Sequence, residues 1–122
     1  IDAWKTSPGL LTHDLSRASG TLEDLLGEPP RWMRPPYGRL TPTLVNWSRR
    51  YRQRILLWDT MPSDFEPGTT PRQIVRTMTR SVRPGSVICL HDNPASRHVT
   101  PTALRAALPR MLDAGWTFAV VD

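Results

Sequence analysis

The sequence predicts an α/β fold of repeated parallel βα units, with part of a barrel as its natural frame. Three observations lead there. A hydroxyl residue precedes a proline at Ser7-Pro8, Thr41-Pro42, Thr70-Pro71 and Thr100-Pro101, each time at the head of a helix-like segment. Short, nearly continuous apolar runs lie between those segments. The alternation closes on an apolar run, while the first helix has no strand before it.

Each helix has a physical reason to start where it does. A Ser or Thr side chain can accept from the free amides of a first turn, and proline suits the first helical position. The first helix carries Leu11, Leu15, Ala18, Leu22 and Leu25 or Leu26 at helical spacing and stops at Gly27. Leu44, Val45 and Trp47 mark the second helix. Ile74, Val75, Met78 and Val82 mark the third, where Thr70 with Gln73 also fits a capping box. Leu104, Leu108, Met111 and Leu112 mark the fourth, which ends before Gly115.

The runs "RWM", "RILLW", "SVICL" and "TFAVV" read as strands buried on both faces, as in a parallel sheet or a barrel interior. Right-handed βα connections follow from that order. Four strands fall short of the roughly eight that close a barrel, so the chain reads as a truncated barrel, with an open four-stranded sheet as the alternative.

Composition narrows the classes. The chain has 122 residues, of which 39% are hydrophobic and 22% charged, as in an ordinary globular domain. No apolar run approaches the length of a membrane span, and no signal-peptide pattern is present. The single cysteine, Cys89, excludes an internal disulfide and reads as a small core residue. The net charge of +5 is spread along the chain, with only "SRRYRQR" clustered, and reads as solubility rather than nucleic-acid binding.

Chemistry is expected in the loops that follow the strands, because parallel βα folds gather their sites there. Those loops carry Arg34-Pro35-Pro36-Tyr37-Gly38, then Asp59 and Ser63-Asp64-Phe65, then His91-Asp92-Asn93, and all three are expected on one face. Each also has a plain structural reading: a tight turn, loop charges, and a histidine bonded to a carbonyl. His13-Asp14 falls opposite the apolar side of its helix and reads as a solvated face, and His98 has no assigned role. His13, His91 and His98 do not form a metal-ligand spacing. No phosphate loop and no GxSxG elbow occurs.

Taken together, "RPPYG" at 34–38, "WDTMPSDF" at 58–65, "GSVICLHD" at 85–92 and the ending "LPRMLDAGWTFAVVD" resemble the polysaccharide deacetylases, that is, the NodB homology domain of carbohydrate esterase family 4. The resemblance implies a distorted, TIM-like (β/α) barrel, with residues 1–122 as the C-terminal part of a single catalytic domain. It implies metal-dependent hydrolysis of N-acetyl or O-acetyl groups from a polysaccharide such as peptidoglycan or chitin-like oligomers. A divalent metal, zinc in this expectation, would take its ligands upstream, and a His-x-x-x-His segment is expected directly before Ile1.

By the same resemblance His91 is the general acid and Asp64 favours its imidazolium form. Arg34 orients an upstream aspartate base, and the Tyr37 amide binds the oxyanion. Leu90, Phe65 and Pro36 contact substrate. Many members carry Trp where Phe65 stands, so a different groove wall is expected. The implied partner is an acetylated polysaccharide, with no nucleic acid, and a monomer in the cell envelope or secreted. The fragment alone is expected to be inactive. The alternative is a non-catalytic glycan-binding fragment or pseudoenzyme.

Overall fold

A computed structural model describes residues 2–121; Ile1, with the segment expected before it, and Asp122 lie outside the described residues. The chain divides into two compact units, Ile1–Leu57 and Trp58–Asp122.

The first unit runs α1 (Pro8–Leu26), β1 (Trp32–Met33), a 3-10 turn (Pro36–Gly38), α2 (Pro42–Arg50) and β2 (Arg54–Ile55). The predicted caps form. The Ser7 and Thr41 hydroxyl oxygens accept from the amides of Leu10 and Leu44, three residues on. Gly27 takes the left-handed conformation, φ 76°, and its amide closes α1 on the Glu23 carbonyl. Strands β1 and β2 are parallel, with Trp32 opposite Arg54 and Met33 opposite Ile55. Ala3, Leu11 and Leu44 form the core, with Leu15 and Met33 packed against it. The buried Trp47 indole donates to Gln53 Oε1 at 3.0 Å, and Gln53 Nε2 donates to Ser19 Oγ at 3.2 Å. The expected inward stripe of α1 is only partly realised: Leu11 is buried, whereas Leu22, Leu25 and Leu26 are exposed.

The second unit pairs α3 (Pro71–Arg80) with α4 (Val99–Asp113). Ile74, Val75 and Met78 of α3 meet Ala103, Ala107 and Met111 of α4, and the two alanines allow the helices a close approach. The capping box of α3 is complete, since the Gln73 amide donates to the Thr70 hydroxyl and the Thr70 amide to Gln73 Oε1. At the end of α4, Gly115 at φ 86° donates to the Leu112 carbonyl while the Trp116 amide donates to Met111. That reciprocal pair needs a left-handed residue, which glycine adopts without a Cβ clash.

Two strand expectations are corrected. "SVICL" is reduced to a parallel bridge between Thr60 and Ile88, in which the Cys89 amide donates to the Thr60 carbonyl at 2.9 Å. Residues 117–121 are in no strand, and Phe118 and Val120 are exposed. A strand exists through its ladder, and no described segment pairs with this run.

Candidate active site

The second unit builds its site around one buried carboxylate. Ser63, at φ 54°, turns the chain, and Asp64 follows with only 1% of its surface exposed. A carboxylate at that depth requires donors on both oxygens, because a buried charge without partners is costly. Oδ1 faces His91 Nδ1 at 2.8 Å. Oδ2 accepts from the His91 backbone amide at 2.8 Å and from the Thr100 hydroxyl at 2.6 Å. Burial pushes the Asp64 carboxyl upward, but the Thr100 hydroxyl and the donors of His91 outweigh it and hold the group below its ordinary 3.8.

This geometry assigns the imidazole. An ionised carboxylate can only accept, so Nδ1 carries the proton and Nε2 is the nitrogen left to exchange one. The Phe65 ring meets the His91 ring edge-on, with centroids 4.7 Å apart. The His91 carbonyl accepts from Ser96 Oγ at 2.8 Å. Asn93 Oδ1 accepts from the amides of Ala95 and Ser96, an Asx turn that leads the chain into α4. A cleft of about 620 Å³ opens beside the histidine, lined by Leu90, His91, Asp92, Arg97, Thr100, Pro101 and Leu104.

Asp59 acts elsewhere in this unit. Its carboxylate accepts from the Ser86 hydroxyl and the Val87 amide, both at 2.9 Å, and pairs with Arg83. The Ser86 hydroxyl is the main reason its carboxyl lies below the ordinary value. It staples the 83–87 turn to the end of the preceding run.

The elbow of the first unit is rigid for reasons visible in its backbone. Pro35 is buried and extended, at φ −65° and ψ 136°. The Gly38 amide donates to the Pro35 carbonyl at 3.0 Å, and the Arg39 amide donates to Pro36 at 3.2 Å. Tyr37 sits between them at φ 58°, a left-handed conformation that a side chain adopts only under constraint. Among the described residues no acceptor meets the Tyr37 amide. Arg34 Nε donates to the Leu56 carbonyl at 3.3 Å, which aims the guanidinium. The Arg39 guanidinium lies over the Trp4 and Tyr37 rings and pairs with Asp2.

No family model matches the chain. It is 27% identical over 110 residues to a peptidoglycan-N-acetylglucosamine deacetylase of Bacillus cereus, covering 89% of this chain and 40% of that protein. Among solved structures, the Bc1960 peptidoglycan N-acetylglucosamine deacetylase superposes with a TM-score of 0.89 at 22% identity, over 98% of this chain and 56% of that one. A family 4 acetyl xylan esterase from Clostridium thermocellum, solved with a cobalt ion, gives 0.79 at 26% identity, over 94% of this chain and 54% of that one. In sequence and fold the chain is similar to the polysaccharide deacetylases of carbohydrate esterase family 4.

The family 4 fold is also that of a pseudoenzyme from Bacillus anthracis, at a TM-score of 0.79 and 18% identity, over 93% of this chain and 38% of that one. In this chain the second unit brings Asp64, Phe65, Leu90 and His91 together, while Arg34, Pro36 and Tyr37 belong to the elbow of the first. Among the described residues no three His, Cys, Asp or Glu side chains gather as a ligand set, so they do not fit a metal ion.

Sequence reasoning missed Thr100. The Thr100-Pro101 pair reads as a helix head, yet α4 starts at Val99 after His98, which makes no side-chain cap. The Thr100 hydroxyl instead reaches Asp64, 36 positions away in the chain. A Thr-Pro pair carries no local signal that separates these two uses.

Proposed function

We propose that this chain is the C-terminal part of a family 4 catalytic domain, a distorted (β/α) barrel that hydrolyses acetyl groups from a polysaccharide of the peptidoglycan or chitin type. The Asp64–His91 pair carries the reading. With Nδ1 held by a buried carboxylate, a protonated His91 can deliver its Nε2 proton to the departing amine, and Asp64 offsets the imidazolium charge. Arg34, aimed by its bond to Leu56, orients and keeps ionised a carboxylate base supplied from outside this chain. The Tyr37 amide, in its proline-braced turn, donates to the oxyanion. Leu90 and Phe65 form the apolar wall for the acetyl methyl, and Pro36 touches the sugar. Any metal used in the reaction takes its ligands from outside this chain. Such a substrate fits a protein that works at the cell envelope or outside it.

The test is acetate release from N-acetylated peptidoglycan and chitin oligomers by the longer protein that carries this chain. His91→Ala is expected to lower kcat by about 10²–10⁴-fold with little change in KM. Full activity in that variant overturns the assignment. Glycan binding without acetate release from either substrate supports the non-catalytic reading, which the Bacillus anthracis pseudoenzyme favours.

A further inference from the structure

Helices α3 and α4 share a strongly basic face. Arg72, Arg76 and Arg80 stand four residues apart along α3, and α4 adds Arg110. Together they line a cleft of about 590 Å³ that contains no acidic residue. The chain has no Asp or Glu between Glu66 and Asp92. All four arginines are exposed, and none of their side chains makes an ion pair or hydrogen bond among the described residues. Like charges at i, i+4 and i+8 weaken a helix by mutual repulsion. Here α3 tolerates them because its other face is held by Ile74, Val75 and Met78 against α4.

We infer that this face docks a linear, base-free phosphodiester polymer of the polyol phosphate kind. A planar guanidinium matches the two non-bridging oxygens of each phosphate. Steps of four residues place the arginines about 6 Å apart along the helix. That is comparable to the span of phosphates joined through a three-carbon polyol. A nucleic acid strand fits less well, because the lining contains no aromatic side chain on which a base could stack. A lipid surface fits less well too, since Val75 is buried and Ala106 is the other apolar side chain besides Pro71. The inference is independent of the deacetylase reading and stands or falls without it.

The test is fluorescence anisotropy of the protein with a labelled poly(glycerol phosphate) oligomer between 50 and 200 mM salt. Four neutralised phosphates predict a slope of log K against log salt near −3, so affinity falls roughly 50-fold over that range. The triple variant Arg72→Gln/Arg76→Gln/Arg80→Gln is expected to bind at least tenfold more weakly, with the slope reduced by about 2. Arg49→Gln/Arg50→Gln/Arg52→Gln removes the same charge from the first unit and is expected to leave affinity within twofold. Equal loss in both variants reduces the effect to net charge and overturns the proposal. So does the absence of wild-type binding, or tighter binding to single-stranded DNA or a polyuronate of equal charge. Circular dichroism of each variant confirms that the helices are retained.

Discussion

Replacing Asp64 by Asn tests the centre of the site most directly. The carboxylate accepts three bonds, from His91 Nδ1, the His91 amide and the Thr100 hydroxyl. In Asp64→Asn the carbonyl oxygen can keep the two donors at the Oδ2 position, but the new NH2 then faces Nδ1. Charge-assisted bonds contribute about 1.5–3 kcal/mol each and neutral ones about 1 kcal/mol. Two weakened bonds and one replaced bond, less the relief of not burying a charge, predict a loss of about 2–3 kcal/mol. Urea unfolding at neutral pH measures it. The imidazole must also change, because Nδ1 has to become an acceptor and the neutral proton moves to Nε2. Nitrogen-15 shifts of the His91 ring report that exchange. A stability change below about 0.5 kcal/mol, or an unaltered tautomer, refutes the reasoning. The pH dependence supplies a second reading. The Asp64 carboxyl is held below 3.8, so its contribution is complete above that value and is lost as pH falls through the folded-state value. Asp64→Asn removes that share of the acid slope.

Three other outcomes follow from the same structure. Thr100→Val removes one donor to Asp64 while keeping the side chain's shape; a loss of about 1.5–3 kcal/mol in urea unfolding is expected, with Thr100→Ser restoring most of it. Thr70→Ala opens the α3 capping box and is expected to cost about 1 kcal/mol by the same assay. Gly115→Ala forces a side chain into φ 86° at the end of α4, with an expected cost of about 1–2 kcal/mol and a lower thermal midpoint.

Three helix starts were legible because a cap is a local device. The hydroxyls of Ser7, Thr41 and Thr70 find their amides three residues along the chain, so sequence spacing is enough. Thr100 looks the same in sequence and behaves otherwise, since a buried carboxylate 36 positions away competes for its hydroxyl. The strands were less legible. "RWM" and "RILLW" pair only as Trp32–Met33 with Arg54–Ile55, and residues 117–121 do not pair with any described segment. An apolar run states that burial is favourable, but it does not state which neighbour completes the ladder.

By itself the sequence determined where three of the four helices begin, that α1 and α4 stop at Gly27 and Gly115, and the proline-braced elbow at 34–38. Those depend on contacts within a few positions or on the motifs that carry the family resemblance. Tertiary structure alone decided which nitrogen of His91 Asp64 engages, that Thr100 shares the same carboxylate, and that Arg110 joins the α3 arginines in one cleft. Each of those facts is a distance between groups far apart in the chain, and such distances are set only when the packed core brings the segments together.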